Sequence, residues 1–443
     1  MLHAPGFPEQ AVRRRAREGA AAVFPPVEEY GTTLFGAGRE PAAHGGPGPD
    51  GIDACRLVPP VFMPRRLEKL IDLGREPVYA DVSLRSAFGG FESPLPAFLS
   101  ALGSTRAASA GSALASQAGR LGLPMVIGEN VAPMSGFRPD DERRTLLDRL
   151  GAYAGAVPDG LGGVVVQQST EDANAEVWNH VYSDPAALSL QESGRLAFEL
   201  KVGQGAKPGL GGMTLVDEDT SRRLGDQYVM EPLAPGGPVL RCSSPGTFTA
   251  EILRQQIHLM RNNYPRARCW VKLLPGRDVA EAAAVAWRAG ADAVTVDGAE
   301  GGTGWAPGIF LEHVGLPLYE CLRALRPPGQ SPEAPDGALL VTGGMRDGAR
   351  IVKALALGAR AAGFGRAALV AVDEDPERGL IRFIESIALE LRFLISALGK
   401  YAAGDPGPED LWDPASAAIQ AGRPASRAAG PASAPASAGA THG

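Results

Sequence analysis

Ala-Asp-Ala-Val-Thr-Val-Asp-Gly-Ala-Glu-Gly-Gly-Thr-Gly (Ala291–Gly304) is the first of three apolar segments that each end in a glycine-rich loop. The other two are Leu-Leu-Val-Thr-Gly-Gly-Met-Arg (Leu339–Arg346) and Ala-Gly-Phe-Gly-Arg-Ala-Ala-Leu (Ala362–Leu369), and amphipathic helical patterns separate them. Glycine after a strand lets backbone N–H groups approach a ligand, and the next helix adds its positive end. The stretch therefore predicts repeated strand–loop–helix units with an anion-binding corner.

Outward from this stretch, short apolar runs without period-two alternation recur, as expected for strands that are buried on both faces. Eight such runs, each followed by helical sequence, begin at residues 78, 124, 163, 196, 269, 291, 338 and 360. They predict an α/β fold, a TIM (β/α)8 barrel whose first strand is Val78–Ser83, with Leu95–Leu102 as helix. A doubly wound open sheet is the alternative. The barrel is favoured because the richest glycine loops follow strands seven and eight, where barrels commonly hold a phosphate.

The predicted organisation has three parts. Residues 1–55 form an N-terminal extension, residues 56–412 form the barrel, and residues 413–443 form a tail rich in Ala, Ser, Pro and Gly. A long Gly- and Pro-rich insertion, Gly203–Pro245, follows strand four. The tail cannot bury enough apolar surface to fold, so we expect it to be disordered.

Composition excludes several classes of protein. The chain has 443 residues and a net charge of −7, and its scattered Lys and Arg form no basic face for nucleic acid. Its four cysteines form no Cys-x-x-Cys pair, so no zinc or other metal site is predicted from local motifs. No signal peptide and no apolar run long enough for a membrane span occur, which predicts a cytoplasmic protein. The oligomeric state is left open, a homo-oligomer included.

Gly343, Gly344, Gly363, Gly365 and Arg366 are the phosphate candidates. Their backbone amides would hold the anion, and the guanidinium of Arg366 would pair with it bidentately. Ordinary tight turns between strand and helix are the alternative explanation for the glycines. Two such loops in consecutive units, at the usual phosphate corner of a barrel, favour the site.

Several polar residues stand at the ends of predicted strands. Lys272 lies in the apolar run Trp-Val-Lys-Leu-Leu, where it would either offset negative charge on a bound ring or form a buried ion pair with Asp297 or Glu300. Gln167 ends strand three, where its amide would bond a ring edge or loop backbone. Glu129 ends strand two as an acid/base or amine-binding group, with helix capping as the alternative.

Other cations and hydroxyls complete the candidate site. Lys207 lies on the glycine-rich loop after strand four, where its charge suits a carboxylate-bearing substrate. The alternative is that this loop is simply a flexible part of the surface. Ser83, Arg85 and Ser86 end the predicted first strand, over the expected ring position. No nucleophile elbow, Walker loop or His-Glu-x-x-His helix occurs, and Gly298–Gly304 does not fit the dinucleotide fingerprint.

These residues lie in blocks that resemble the FMN-binding domain of glutamate synthase, especially its stand-alone bacterial and archaeal relatives. The matching blocks are Glu199–Gly212 (which contains Gln-Gly-Ala-Lys-Pro-Gly), Val271–Leu273, Asp297–Gly304 with Pro307, Thr342–Arg346 and Gly363–Gly365. The resemblance covers roughly residues 55–412 and is strongest from 199 to 370. It implies a barrel that holds FMN, in which reduced flavin delivers hydride to a 2-imino acid, or the reverse.

The resemblance also implies roles for individual residues. Lys207 and Glu129 would face the substrate, with Lys272 and Arg85 as the other catalytic candidates. The residues that would hold FMN are Ser83, Ser86, Gln167, Lys272, Gly302, Gly343, Gly344, Gly363, Gly365 and Arg366.

The chain departs from the family pattern in three places. Val370–Arg382 contains no cysteine, so no iron–sulfur cluster is predicted. The strand-one motif reads Ser-Leu-Arg-Ser-Ala-Phe-Gly (Ser83–Gly89), and strand two ends in Gly-Glu-Asn-Val (Gly128–Val131). The cofactor side is kept and the substrate side is changed.

We therefore expect an FMN-dependent oxidoreductase that acts at the C–N bond of an amino acid, imino acid or amine. The changed substrate side argues for a substrate different from that of the family. One alternative is an FMN-binding accessory subunit or degenerate barrel without turnover, served by an electron-donor or amine-supplying protein. The other is an FMN-barrel oxidase or isomerase.

Overall fold

Eight parallel strands close into a barrel in the computed structural model. The structure describes residues 1–34, 51–103, 111–131, 146–203, 205–226, 228–302, 306–325 and 337–414. The strands, in chain order, are β1 (Arg56–Leu57), β2 (Ser86–Phe88), β3 (Phe91–Ser93), β4 (Ala97–Leu102), β5 (Met125–Ile127), β6 (Val164–Gln168), β7 (Leu196–Lys201), β8 (Met213–Val216), β9 (Val229–Pro232), β10 (Val239–Cys242), β11 (Arg268–Leu273), β12 (Ala293–Asp297), β13 (Ala338–Thr342), β14 (Ala361–Phe364) and β15 (Leu411–Trp412). The barrel consists of β4 to β7 and β11 to β14, each paired with the next and β14 with β4.

Helices follow the barrel strands and surround them. In chain order they are α1 (Glu9–Glu18), α2 (Gly51–Ala54), α3 (Pro64–Leu73), α4 (Gly111–Leu121), α5 (Leu146–Ala154), α6 (Thr170–Asn174), α7 (Val177–Ser183), α8 (Leu188–Glu192), α9 (Glu218–Leu224), α10 (Ala250–Asn263), α11 (Val279–Arg288), α12 (Gly308–His313), α13 (Leu318–Leu325), α14 (Gly348–Ala356), α15 (Arg366–Glu374) and α16 (Gly379–Ala397). The predicted TIM barrel is confirmed.

The first predicted barrel strand was wrong. Val78–Ser83 contains a 3-10 turn at Tyr79–Asp81, and the first barrel strand is β4, where a helix was predicted. The sequence of β4, Ala-Phe-Leu-Ser-Ala-Leu, is rich in residues that favour helices. Its strand conformation comes from pairing with β14 and β5 on either side, which local propensity does not record.

Alternate side chains of the barrel strands point inward, and the lower half of the interior is apolar. A short hairpin, β2–β3, precedes β4 and adds Phe88 and Phe91 to this apolar interior. The indole of Trp270 donates a 2.8 Å hydrogen bond from Nε1 to the carbonyl of Gly89 at the hairpin turn. The hairpin thus closes the barrel at the end where its strands begin.

Ser83, Arg85 and Ser86 therefore lie at the wrong end of the barrel for the predicted site. Ser83 forms a bridge with Ala402, and Arg85 is exposed and paired with Glu92 of the hairpin at 3.0 Å. Ser86 belongs to β2 itself. Active sites in this fold lie at the carboxyl ends of the strands, so these three predictions are corrected.

Two additions flank the barrel. The predicted insertion after the fourth barrel strand contains a three-stranded antiparallel sheet in the order β8–β10–β9. At the N-terminus, α1 packs on α15 and α16, and its buried Arg13 bonds Asp373 and Glu374 of α15. The boundary at residue 55 stays a prediction, and the predicted tail lies outside the described residues beyond 414.

Across the described ranges, no helix combines the length and apolar character needed to cross a bilayer.

We expect Gly89→Ala to lower the free energy of unfolding by about 3 kcal/mol. Gly89 has a φ of 57°, and an added Cβ would lie 2.5 Å from the indole of Trp270. Gly74→Ala is the matched control because Gly74 has a φ of 65° but open space around an added Cβ. It should cost only the backbone strain, about 1 kcal/mol. Urea unfolding of both variants measures the difference, and equal losses would show that the hairpin does not depend on this contact.

Candidate functional site

A polar layer lies above the apolar half of the barrel interior. Because inward positions alternate, the strands that contribute Ala197, Trp270 and Ala293 below also direct Glu199, Lys272 and Thr295 inward one layer higher. The buried polar side chains of this upper layer are Gln167, Glu199, Lys272, Thr295, Asp297 and Thr342. They stand near the carboxyl ends of five adjacent strands, where a barrel carries its site.

Asp297 connects three parts of this layer. Its Oδ2 lies 3.2 Å from Nζ of Lys272 and accepts a 3.0 Å hydrogen bond from the backbone N–H of Gly205. Its Oδ1 accepts a 2.7 Å hydrogen bond from the hydroxyl of Thr342. One carboxylate therefore holds Lys272, the end of β13 and the loop after β7 together, and the ion pair considered for Lys272 is present.

Lys272 remains charged although it is buried. Burial lowers the pKa of Lys272, but the carboxylates of Asp297, Glu199 and Glu129 together raise it above its ordinary value. Glu199 behaves in the opposite way, because burial raises the pKa of Glu199 despite the nearby Lys272. Lys272 is therefore a charged lysine of this layer, held beside the carboxylate of Asp297.

Gln167 is oriented by Glu199 and keeps one polar atom without a partner. Nε2 of Gln167 donates to Glu199 at 2.6 Å, and the hydroxyl of Thr295 donates to the same carboxyl group at 3.0 Å. Oε1 of Gln167 is buried and has no hydrogen-bond partner in the described part of the chain. A buried acceptor of this kind calls for a donor from a ligand.

Glu129 and Lys201 form an ion pair beside this layer. Burial raises the pKa of Glu129, but the positive charge of Lys201 outweighs it and leaves the pKa below its ordinary value. Glu129 is therefore ionised at neutral pH. A carboxylate in this state can bind an ammonium group or accept a proton.

Asp172, which was missed from the sequence, holds the segment around Glu129 in place. It accepts hydrogen bonds from the backbone N–H of Asn130 at 2.9 Å and from the N–H and hydroxyl of Ser169 at 2.9 and 2.6 Å. Asn130 has a left-handed backbone with a φ of 65°, and burial raises the pKa of Asp172 to about 6. The signal was available, because Ser-Thr-Glu-Asp (Ser169–Asp172) is a capping-box pattern directly after β6.

Lys207 lies in a packed loop and not on a flexible surface. Its side chain is buried, and the loop before it lies so close to the loop after β12 that an added Cβ at Gly205 would be 2.0 Å from the carbonyl oxygen of Gly298. The loops after the fourth and sixth barrel strands therefore form one surface. Whether Lys207 contacts a substrate stays a prediction.

The predicted phosphate corner lies at the glycine-rich ends of β13 and β14. Gly343 and Gly344 have φ values of 119° and 66°, a backbone region that favours glycine. Gly365 is the N-cap of the short helix α15 and has no side chain to cap it, and the space around an added Cβ would be open. Loops after strands seven and eight, with the N-terminus of a short extra helix, form the phosphate site of many barrels.

Arg366 crosses this corner from α15 towards the loop after β12. Its Nη2 donates a hydrogen bond to the carbonyl of Glu300, and an added Cβ at Gly302 would lie 2.8 Å from its Cγ. Gly302 therefore makes room for the arginine. Gly363 has a different reason to be glycine, because an added Cβ would meet the ring of Phe98 inside the barrel at 2.6 Å.

Two further arginines, which were also missed, hold the Gly343–Gly344 loop. Arg346 and Arg350 pair with Asp53 of α2 at 2.7 and 2.9 Å. Arg346 also donates to the carbonyl of Gly344 at 3.1 Å. The partner that explains them lies almost 300 positions earlier in the chain, so no local pattern could reveal it.

Within the described residues, no group of three or more His, Cys, Asp or Glu side chains could hold a metal ion. The absence of an iron–sulfur cluster stays a prediction.

Fold and site together define a (β/α)8 barrel with a charged upper layer and a glycine-rich corner beside Arg366. Residues 189–375 match the model of the conserved region in glutamate synthase. This part of the chain is therefore glutamate synthase-like, and the resemblance seen in the sequence is confirmed there.

Two curated relatives show how far the similarity extends. The archaeal-type glutamate synthase [NADPH] of Thermotoga maritima is 37% identical over 189 residues, which are 40% of this chain and 34% of that protein. The glutamate synthase large subunit-like protein of Rhizobium meliloti is 38% identical over 188 residues, 41% of this chain and 40% of that protein. The chain thus matches only about a third to two fifths of these relatives.

Solved structures with the same fold are more distant in sequence. A soluble mutant of (S)-mandelate dehydrogenase from Pseudomonas putida has a TM-score of 0.52 at 18% identity, over 92% of this chain and 99% of that one. The flavin-binding domain of baker's yeast flavocytochrome b2 has a TM-score of 0.54 at 16% identity, over 82% and 76%. At this identity the likeness shows the barrel fold.

We expect Lys201→Met to lower the free energy of unfolding by about 3 kcal/mol, because it leaves the buried charge of Glu129 without its main partner. The double variant Lys201→Met/Glu129→Gln is the control, and it should recover part of the loss because it removes that charge as well. Urea unfolding at pH 7 measures both. A double variant no more stable than Lys201→Met would contradict the ion-pair explanation.

Lys201→Met should also reverse the way in which Glu129 makes the free energy of unfolding depend on pH. In the wild type, the lowered pKa of Glu129 adds stability above its unfolded value of 4.5, and this stability is lost as the pH falls. Without Lys201, burial raises the pKa of Glu129, so ionised Glu129 destabilises the folded state. Lowering the pH towards 5 should therefore stabilise Lys201→Met relative to the wild type.

Proposed function

We propose that the protein is an FMN-dependent oxidoreductase that acts at the C–N bond of an amino acid, an imino acid or an amine. The observation that carries the proposal is Lys272, a buried lysine kept charged at the carboxyl end of the fifth barrel strand. It stands in the same layer as the unpartnered acceptor of Gln167, and the phosphate corner lies at the same end of the barrel.

The residues present fit the phosphate and the ring edge of FMN. The backbone of Gly343, Gly344 and Gly365 and the guanidinium of Arg366 would hold the phosphate. Oε1 of Gln167 offers an acceptor for a ring N–H, and it has no other partner among the described residues. The match of residues 189–375 to the conserved glutamate synthase region supports the same assignment.

When bound, FMN supplies two-electron redox chemistry, and the protein supplies binding, orientation and electrostatics. Lys272 would place positive charge beside the ring and so favour the form that carries more negative charge. Its own orientation is fixed by Asp297 at 3.2 Å, so no reorganisation is needed when charge develops.

Substrate binding falls to the loops after the second and fourth barrel strands. Ionised Glu129 would bind the ammonium group of a substrate or accept its proton, and Asp172 fixes the backbone beside it. Lys207 would pair with a substrate carboxylate. Arg85 has no part in this proposal, because it lies at the opposite end of the barrel.

A second candidate function is FMN binding without turnover by this chain alone, with an electron-donor or amine-supplying protein as partner. The observation in its favour is that Glu129 is already paired with Lys201. Hydroxy-acid oxidation is less well supported, since no histidine of the described residues ends a barrel strand.

Purified protein loaded with FMN should show a flavin absorbance spectrum, with one FMN bound per chain. Anaerobic addition of 2-amino acids or amines should bleach it, and matched 2-hydroxy acids should not. Absorbance before and after addition measures both points. A protein that binds no FMN would contradict the proposal. Bleaching by hydroxy acids alone would overturn the proposed substrate class. Bound FMN that no amino acid or amine bleaches would favour the second candidate function.

Lys272→Met should lower the reduction midpoint potential of the bound FMN by about 30 mV or more, which for two electrons is about 1.4 kcal/mol. The reason is the loss of positive charge beside the ring. Spectroelectrochemical titration measures the potential. Lys400→Met is the control, because it removes another buried lysine that does not belong to the polar layer and is paired with Glu409 and Asp410 at 2.6 Å. Equal potentials in the wild type and Lys272→Met would remove the assigned role.

A further inference from the structure

We propose that Phe7 is a positioning residue that holds Arg366 in place for the phosphate of FMN, so that the N-terminal segment retains the cofactor. The segment concerned, residues 1–18 (the N-terminal arm), precedes the barrel and ends with α1. The inference rests on the proposed binding of FMN and adds a residue that neither the barrel fold nor the matched region 189–375 contains.

The contact lies directly at the phosphate corner. The ring centroid of Phe7 is 4.8 Å from the guanidinium carbon of Arg366. A cation over an aromatic face at this distance is attracted by the ring quadrupole. Phe7 thus covers one face of the guanidinium. At the edge of the same guanidinium, Nη2 of Arg366 donates a hydrogen bond to the carbonyl of Glu300.

The arm is attached firmly enough to fix that ring. Arg13 is buried and donates to Glu9 at 2.8 Å, to Asp373 at 2.9 Å and to Glu374 at 3.0 Å. The backbone N–H of Leu2 donates to Asp373 at 2.8 Å. Asp373 and Glu374 end α15, the helix that Arg366 begins, so the arm contacts both ends of the same helix.

Restraint of this kind favours binding. A free arginine loses side-chain freedom when it pairs with a phosphate, and a side chain that is already held in position loses less. Phe7 also keeps water from one face of the guanidinium. The effect should act on the phosphate and not on the flavin ring, because Arg366 is assigned to the phosphate alone.

The test compares two ligands on full-length variants. Phe7→Leu removes the aromatic face and keeps an apolar side chain, and Phe7→Tyr keeps the face. We expect Phe7→Leu to dissociate FMN about 2- to 30-fold faster than the wild type, with riboflavin, which lacks the phosphate, unchanged. Phe7→Tyr should stay close to the wild type. Recovery of flavin fluorescence on dilution measures each rate.

Two controls separate positioning from folding. Phe24→Leu removes another aromatic of the N-terminal extension, which packs on Phe393 at 5.8 Å, and should leave both rates unchanged. In the Arg366→Met background, Phe7→Leu should have no further effect on the FMN rate, because the group it positions is absent.

The outcomes that overturn the inference are distinct. An unchanged FMN rate in Phe7→Leu, or equal acceleration of FMN and riboflavin, would overturn it while the proposed function stands. Full additivity with Arg366→Met would overturn it in the same way. A wild type that binds neither flavin would overturn the proposed function and this inference together.

Discussion

The upper half of the barrel depends on the carboxylate of Asp297. It neutralises Lys272, accepts the hydroxyl of Thr342 and holds the backbone of Gly205, so three separate elements meet at two oxygen atoms. Burying a charge is costly unless it is paired and hydrogen-bonded. With this network complete, a lysine can remain ionised inside the barrel. Without it, the charge and the loop after β7 would both lose their position.

The glycine-rich loops were predictable because their signal is local. Gly343 and Gly344 adopt backbone conformations with positive φ that other residues disfavour, and such constraints are visible in a few consecutive letters. Lys272 and Gln167 were found for a related reason, since a polar residue in an apolar strand needs a partner. Asp297 was one of the two partners considered for Lys272. Glu199, the partner of Gln167, follows from the inward register of the strands, which only the closed barrel fixes.

The first barrel unit was not predictable in the same way. β4 consists of helix-favouring residues, and its strand state comes from neighbours that are distant in the sequence. The error moved Ser83, Arg85 and Ser86 from the closed lower end to the site. The true first strand ends in Ser-Ala-Leu (Ser100–Leu102), in which Ser100 is buried, and Gly103 follows it. A one-element shift leaves the count of eight intact and still misplaces every residue assigned to that element.

The predicted phosphate corner is held by segments outside the barrel as well. Asp53 fixes Arg346 and Arg350, and the ring of Phe7 covers Arg366, so two segments before the first barrel strand hold arginines of the last two units. These contacts join the start of the chain to the place where an anion would bind. The predicted boundary at residue 55 divides the sequence, but residues before it contact arginines that lie after it. The N-terminal extension is thus part of the site's structure, since the arginines beside its glycines are oriented from outside the barrel.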